Sequence, residues 1–224
     1  MADGDALRVD VTRHPARATP ARKQTLLSDV PSGAALAVAF HGSADLAAQL
    51  SAAKLAAQLP LKELAPLLTG DGVLYVRPSG LLPLVALEVS PKNPQAALAA
   101  ARKLVRSLAG KLGPVPLTAQ LVGRKVVISD GPAAANALRG GPKLVGDSAY
   151  KDAVASAGVP AQTTFLEYAD GAALAPIVQL LAQALGGKAL DPSLGQNLAH
   201  VRTVVAWGTK SAGTTRLHLW VQPK

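Results

Sequence analysis

Val73-Leu74-Tyr75-Val76-Arg77-Pro78-Ser79-Gly80-Leu81-Leu82-Pro83-Leu84-Val85-Ala86-Leu87-Glu88-Val89 decides the reading of this chain. Two short apolar runs rich in Val and Leu flank a Pro-Ser-Gly turn, the pattern of an antiparallel hairpin. Upstream, Ala34 to Phe40 is a further apolar run ended by His41-Gly42. Helical spacing then follows at Leu46, Leu50 and Ala53, and again at Leu61, Leu64, Leu67 and Leu68. The order is strand, helix, helix, hairpin.

The same order returns downstream. Thr164 to Tyr168 reads as a strand, Asp170-Gly171 as a helix cap, Leu174, Val178, Leu181 and Leu185 as a helix face, and Ser193 to Val201 as a second helix. Val204 to Trp207 and Leu217 to Val221 make the closing hairpin. Val73, Ser79, Leu87, Val89, Pro91 and Lys92 recur in one spacing as Val205, Ser211, Leu219, Val221, Pro223 and Lys224, and a slightly shorter offset matches Phe40 with Tyr168. An internal duplication is expected, with units at about 34–91 and 164–223.

The connector, 93–160, has its own elements. Asn93-Pro94 opens a helix with Ala97, Ala101, Leu104, Val105 and Leu108 as its stripe. Leu117 to Val122 and Lys125 to Ser129 form a tight hairpin around Gly123-Arg124. Asp130-Gly131-Pro132 opens a short helix, and Asp147 or Ser148 caps another through Ala157. About eight strands and seven helices are expected: an α+β class with antiparallel sheet covered by helices, in one domain over 26–224. Residues 1–25 are polar, basic and Pro-containing, and are expected as a flexible lead-in.

Composition narrows the function. The 224 residues are 49% hydrophobic and only 3% aromatic, so the core is aliphatic. Absence of cysteine excludes disulfides, thiolate catalysis and Cys-ligated metals. No apolar run is long enough for a membrane helix, and the start, Met-Ala-Asp-Gly-Asp, lacks the pattern of a signal peptide. A formal charge of +9 suits a polyanionic neighbour, whether nucleic acid, an anionic membrane surface or an anionic cell-envelope polymer.

Taken together, the Val30-Pro31 entry into the first strand, the Asn93-Pro94 helix, Val126 to Gly131, and Asp147 to Lys151 before Phe165 resemble an uncharacterised actinobacterial family. The resemblance covers about residues 28–224 and implies an extracytoplasmic domain, secreted or anchored, with no activity or site residues attached.

Candidate chemistry is sparse. Ser51-Ala-Ala-Lys54 and Ser148-Ala-Tyr-Lys151 place a hydroxyl one helical turn from an amine, as serine acyl-transfer enzymes of the penicillin-recognising type require, and Ser129-Asp130-Gly131 and Lys210-Ser211-Ala212-Gly213 resemble degraded forms of the companion motifs. The four histidines show no metal-ligand spacing, and no Gly-rich loop suits a nucleotide, so neither metal nor cofactor is expected.

Two surfaces remain as binding candidates. Arg102, Lys103, Arg106 and Lys111 lie opposite the apolar stripe of the connector helix, with Arg124 and Lys125 at the hairpin tip. Without interleaved aromatics, specific nucleic-acid reading is not expected there. The second is an aromatic face of Trp207, Arg216, His218 and Trp220, suited to a sugar or cation. The expected function is a non-enzymatic binding or scaffold domain of the cell envelope. The serine acyl-transfer enzyme, using Ser51 and Lys54, and the anionic-polymer or membrane-surface binder are the alternatives.

Overall fold

A computed structural model describes residues 6–13, 20–42, 65–80, 83–109, 116–184, 192–211 and 214–224. Among these residues nine strands form a single sheet: β1 (Leu7–Arg13), β2 (Leu36–His41), β3 (Asp71–Arg77), β4 (Leu84–Ser90), β5 (Thr118–Val122), β6 (Lys125–Ser129), β7 (Phe165–Asp170), β8 (Val201–Ser211) and β9 (Thr214–Pro223). The order across the sheet is β1-β9-β8-β7-β2-β3-β4-β6-β5, with every neighbouring pair antiparallel. The helices are α1 (Pro94–Ala109), α2 (Pro132–Ala137), α3 (Ser148–Ala157), α4 (Gly171–Ala184) and α5 (Pro192–Ala199). The chain is therefore α+β with an antiparallel sheet.

Period-two alternation divides the side chains between two faces. On the front face Ala37, Ala39, Val73, Tyr75, Val127, Tyr168, Val205, Trp207 and Trp220 are buried beneath Leu26, Leu27, α2 and α3. On the back face α1 lays Ala97, Ala101 and Leu104 on Val89, Val126 and Ile128, with Phe40 and Leu87 at the margin. Asn93 caps α1, its Oδ1 accepting from the Ala96 N–H at 3.1 Å, and Gly123 takes φ +61° in the β5–β6 turn. Lys143 Nζ reaches the carbonyls of Ala137, Leu138 and Gly140 after α2, and that of Asp29, at 3.0–3.2 Å.

The expected lead-in is corrected over Leu7–Arg13, which pairs along its length with β9. Leu7, Val9 and Val11 alternate with Arg8, Asp10 and Thr12, and that alternation makes an edge strand despite the charges. Arg22 and Thr163 also exchange backbone hydrogen bonds, both at 3.0 Å.

The ladders of β2-β3-β4 and β7-β8-β9 share one register about the central Val38–Glu167 pair. Ala39–Val73 answers to Tyr168–Val205, and Val73–Glu88 to Val205–Trp220. The expected match of Phe40 with Tyr168 is one residue out of step: Phe40 belongs to the back face and Tyr168 to the front. A single-residue slip exchanges faces in a pleated strand. In the two hairpins the expected facing holds, since Val85, Leu87 and Val89 share the back face with Leu217, Leu219 and Val221. The helices expected around Leu46 to Leu64 lie outside the described residues.

Candidate functional site

The aromatic face is built by β8 and β9, whose ladder sets Trp207 directly opposite His218. Their rings stack with centroids 5.0 Å apart and an interplanar angle of 16°. Trp207 and Trp220 are both buried in the front core, so neither presents a stacking platform to solvent. Arg216 is exposed, between Thr209 on β8 and Thr12 on β1.

Two residues that sequence reading missed complete this cluster. Thr209 donates its hydroxyl to His218 Nε2 at 2.8 Å, and His218 Nδ1–H donates to Asp10 Oδ1 at 2.6 Å. Hydroxyl, imidazole and carboxylate thus stand in the order used to activate a nucleophile. The Asp10 side chain is 70% exposed, however, and the group lies on a sheet surface open to water. In that setting it acts as a clasp holding β1 to β9 and β8.

A second cross-strand pair joins His41 to Asp71, Nδ1 to Oδ1 at 2.7 Å, at the β2–β3 ladder end. Gln24 Nε2 donates to His41 Nε2 at 3.0 Å and lies 3.1 Å from both Thr163 O and Thr163 Oγ1, tying the N-terminal segment to the start of β7. His14 falls outside the described residues, and no group of three or more metal-binding side chains occurs among those described. Ser51 and Lys54 also fall outside. Ser148 and Lys151 are exposed at the start of α3.

The basic surface is partly assembled. Arg102, Lys103 and Arg106 are exposed on the outward side of α1, and Arg124 is exposed in the β5–β6 turn. Lys111 lies outside the described residues. Lys125 is drawn to the front face, where Nζ is 2.5 Å from Asp29 Oδ2 and 2.9 Å from Glu88 Oε1. Burial raises the Glu88 pKa above the usual carboxylate value even with the ammonium beside it. Burial works to lower the Lys125 pKa, but hydrogen bonds and charge from Asp29 and Glu88 outweigh it, and the net shift is upward.

A cavity of about 350 Å³ lies at the N-terminal ends of α3 and α4, lined by Gly33, Leu144, Asp147, Tyr168 and Asp170. Its carboxylates are already engaged. Asp147 accepts from Ser32 Oγ and the Gly33 N–H, and Asp170 accepts from the Ala173 N–H as a helix cap. Asp147, expected as a cap for α3, makes no side-chain capping bond because its oxygens turn to the Ser32-Gly33 loop.

Among the described residues, the largest departure from a covered sheet is on the back of β1. Leu7, Val9 and Val11 are 60%, 41% and 46% exposed. Beside them Leu217, Leu219 and Val221 are half-buried. In the shared register Leu7 and Val9 answer to Val126 and Ile128, which are 0% and 8% exposed beneath α1.

No protein-family model, curated protein or solved structure matches this chain.

Proposed function

We propose that this protein is a non-enzymatic binding or scaffold domain of the cell envelope, extracytoplasmic, built by duplication of a strand-helix-helix-hairpin unit. The shared ladder register supports the duplication, once the first strand is matched as Ala39 with Tyr168. The observation that carries the binding reading is the apolar strip Leu7, Val9 and Val11, left bare on a sheet whose equivalent strip is helix-covered. Monomeric proteins keep contiguous apolar surface small, and a bare strip marks a contact site. The extracytoplasmic placement rests on the motif resemblance over residues 28–224.

The test is dye binding. Anilinonaphthalene sulfonate is expected to fluoresce with the folded protein at neutral pH and to lose that signal in a Val9→Lys, Val11→Lys double variant with an unchanged melting temperature. Equal dye binding by the variant would reject the strip as the contact surface.

An acyl-transfer reading retains one supporting observation, the Thr209–His218–Asp10 hydrogen-bond order. Fluorophosphonate and fluorescent penicillin are both expected to leave the protein unlabelled. Stoichiometric labelling lost in Thr209→Ala, or in Ser51→Ala, would replace the non-enzymatic reading.

A further inference from the structure

We infer that the bare back face of β1 and β9 is the seat of an amphipathic α-helix supplied by a partner chain, with Ala and Leu at helical spacing and acidic residues on its outer side. The inference rests on the binding reading above and names the partner.

The other end of the sheet supplies the first argument. Val89 pairs with Val126 and Leu87 with Ile128, and across the shared register Val221 pairs with Leu7 and Leu219 with Val9. Both sites thus carry Val, Leu and Ile in the same alternation, although α1 also rests on β5, whose Ala119 and Leu121 extend its seat beyond β6, whereas β1 is itself the edge. One is closed by α1, whose Ala97 and Ala101 let the helix approach the sheet while Leu98 and Leu104 fill its sides. The other presents the same apolar chemistry with no helix on it among the described residues.

Dimensions agree with this occupant. Two strands about 4.8 Å apart, with their side chains, give a strip about 10 Å wide, the diameter of one helix. From Leu7 to Val11 the strip runs about 14 Å, which about nine helical residues span. A second copy fits less well. A stable protein interface buries about 800 Å² on each partner, more than a two-strand strip offers, and two chains of formal charge +9 repel. The formal charge of +9 favours an acidic partner over a basic one, and a helix seated on an apolar strip carries its acidic side chains on the outer side.

The test uses the full chain and a fluorescent 16-residue peptide with the sequence of α1 carrying R102E, K103E and R106E. Saturable binding is expected, at least tenfold weaker to the Val9→Lys, Val11→Lys variant, together with a rise in peptide helicity by circular dichroism. A scrambled peptide of the same composition should not bind. Equal binding of the scrambled peptide, or none at millimolar concentration, overturns the helix as occupant. If dye binding still depends on Val9 and Val11, the contact-surface reading survives that failure. Sedimentation showing a dimer that the same variant dissociates would instead assign the face to a second copy.

Discussion

Asp10 and His218 face each other directly across the β1–β9 ladder, carboxylate to imidazole at 2.6 Å, although 208 residues separate them in the chain. The bond fastens the sheet's outermost strand, and the Thr209 hydroxyl fixes the other ring nitrogen. His218→Ala removes both bonds and the stack on Trp207, and is expected to cost about 1–2 kcal/mol. Urea unfolding measures the loss. Hydrogen exchange should show it concentrated in Leu7–Arg13, with the β2–β3 amides unaffected.

The Asp29–Lys125–Glu88 group gives a pH prediction. Because burial raises the native pKa of Glu88 above its unfolded value, the protonated form favours folding, and wild-type stability falls as pH rises through that interval. Glu88→Gln should therefore match or exceed wild type by up to about 1 kcal/mol at neutral pH. The difference should vanish below the ordinary carboxylate range. Lys125→Met leaves the Glu88 carboxylate buried and unpaired, and should cost about 2–3 kcal/mol at pH 7. Lys125 has its pKa raised, so its own contribution is present at neutral pH and disappears only at strongly alkaline pH.

Lys143 closes α2 by bonding to carbonyls that the helix end leaves open. Lys143→Met keeps the aliphatic stem and removes the donors, so about 2 kcal/mol should be lost. Lys143→Arg should recover part of it, as read from thermal melts of the three proteins.

The outward side of α1 carries Arg102, Lys103 and Arg106 away from the core. Replacing all three by Glu should leave the melting temperature nearly unchanged. If the surface meets an anionic polymer or membrane, binding to anionic vesicles should fall steeply between low and physiological salt and disappear in the triple variant. Vesicle co-sedimentation at two ionic strengths is the measurement.

Local signals carried much of this architecture. Asn93-Pro94, Gly123-Arg124 and the alternation in Val85 to Val89 each name an element and a facing through chemistry confined to a few neighbours. β1 was legible in the same terms, since Leu7, Val9 and Val11 keep period two, but Arg8, Asp10 and Arg13 make the segment read as a solvated tail. The site depends on register between distant strands. Nothing near Asp10 indicates His218, and nothing near Lys125 indicates Glu88, so the clasp and the buried ion group were beyond reach. The one-residue error at Phe40 has the same origin, because Ala-rich strands align almost equally well in either phase.

The pairing of β1 with β9 joins the beginning of this sequence to its end. During synthesis Leu7, Val9 and Val11 leave the ribosome before their partners Leu217, Leu219 and Val221, which follow about 10–40 s later at ordinary elongation rates. Throughout that interval an alternating apolar strand has no native partner, and only Arg8 and Asp10 discourage it from joining the wrong one. Closure of the edge must wait for β9, so slowed translation anywhere between β1 and β9 lengthens the unpaired interval and should raise aggregation.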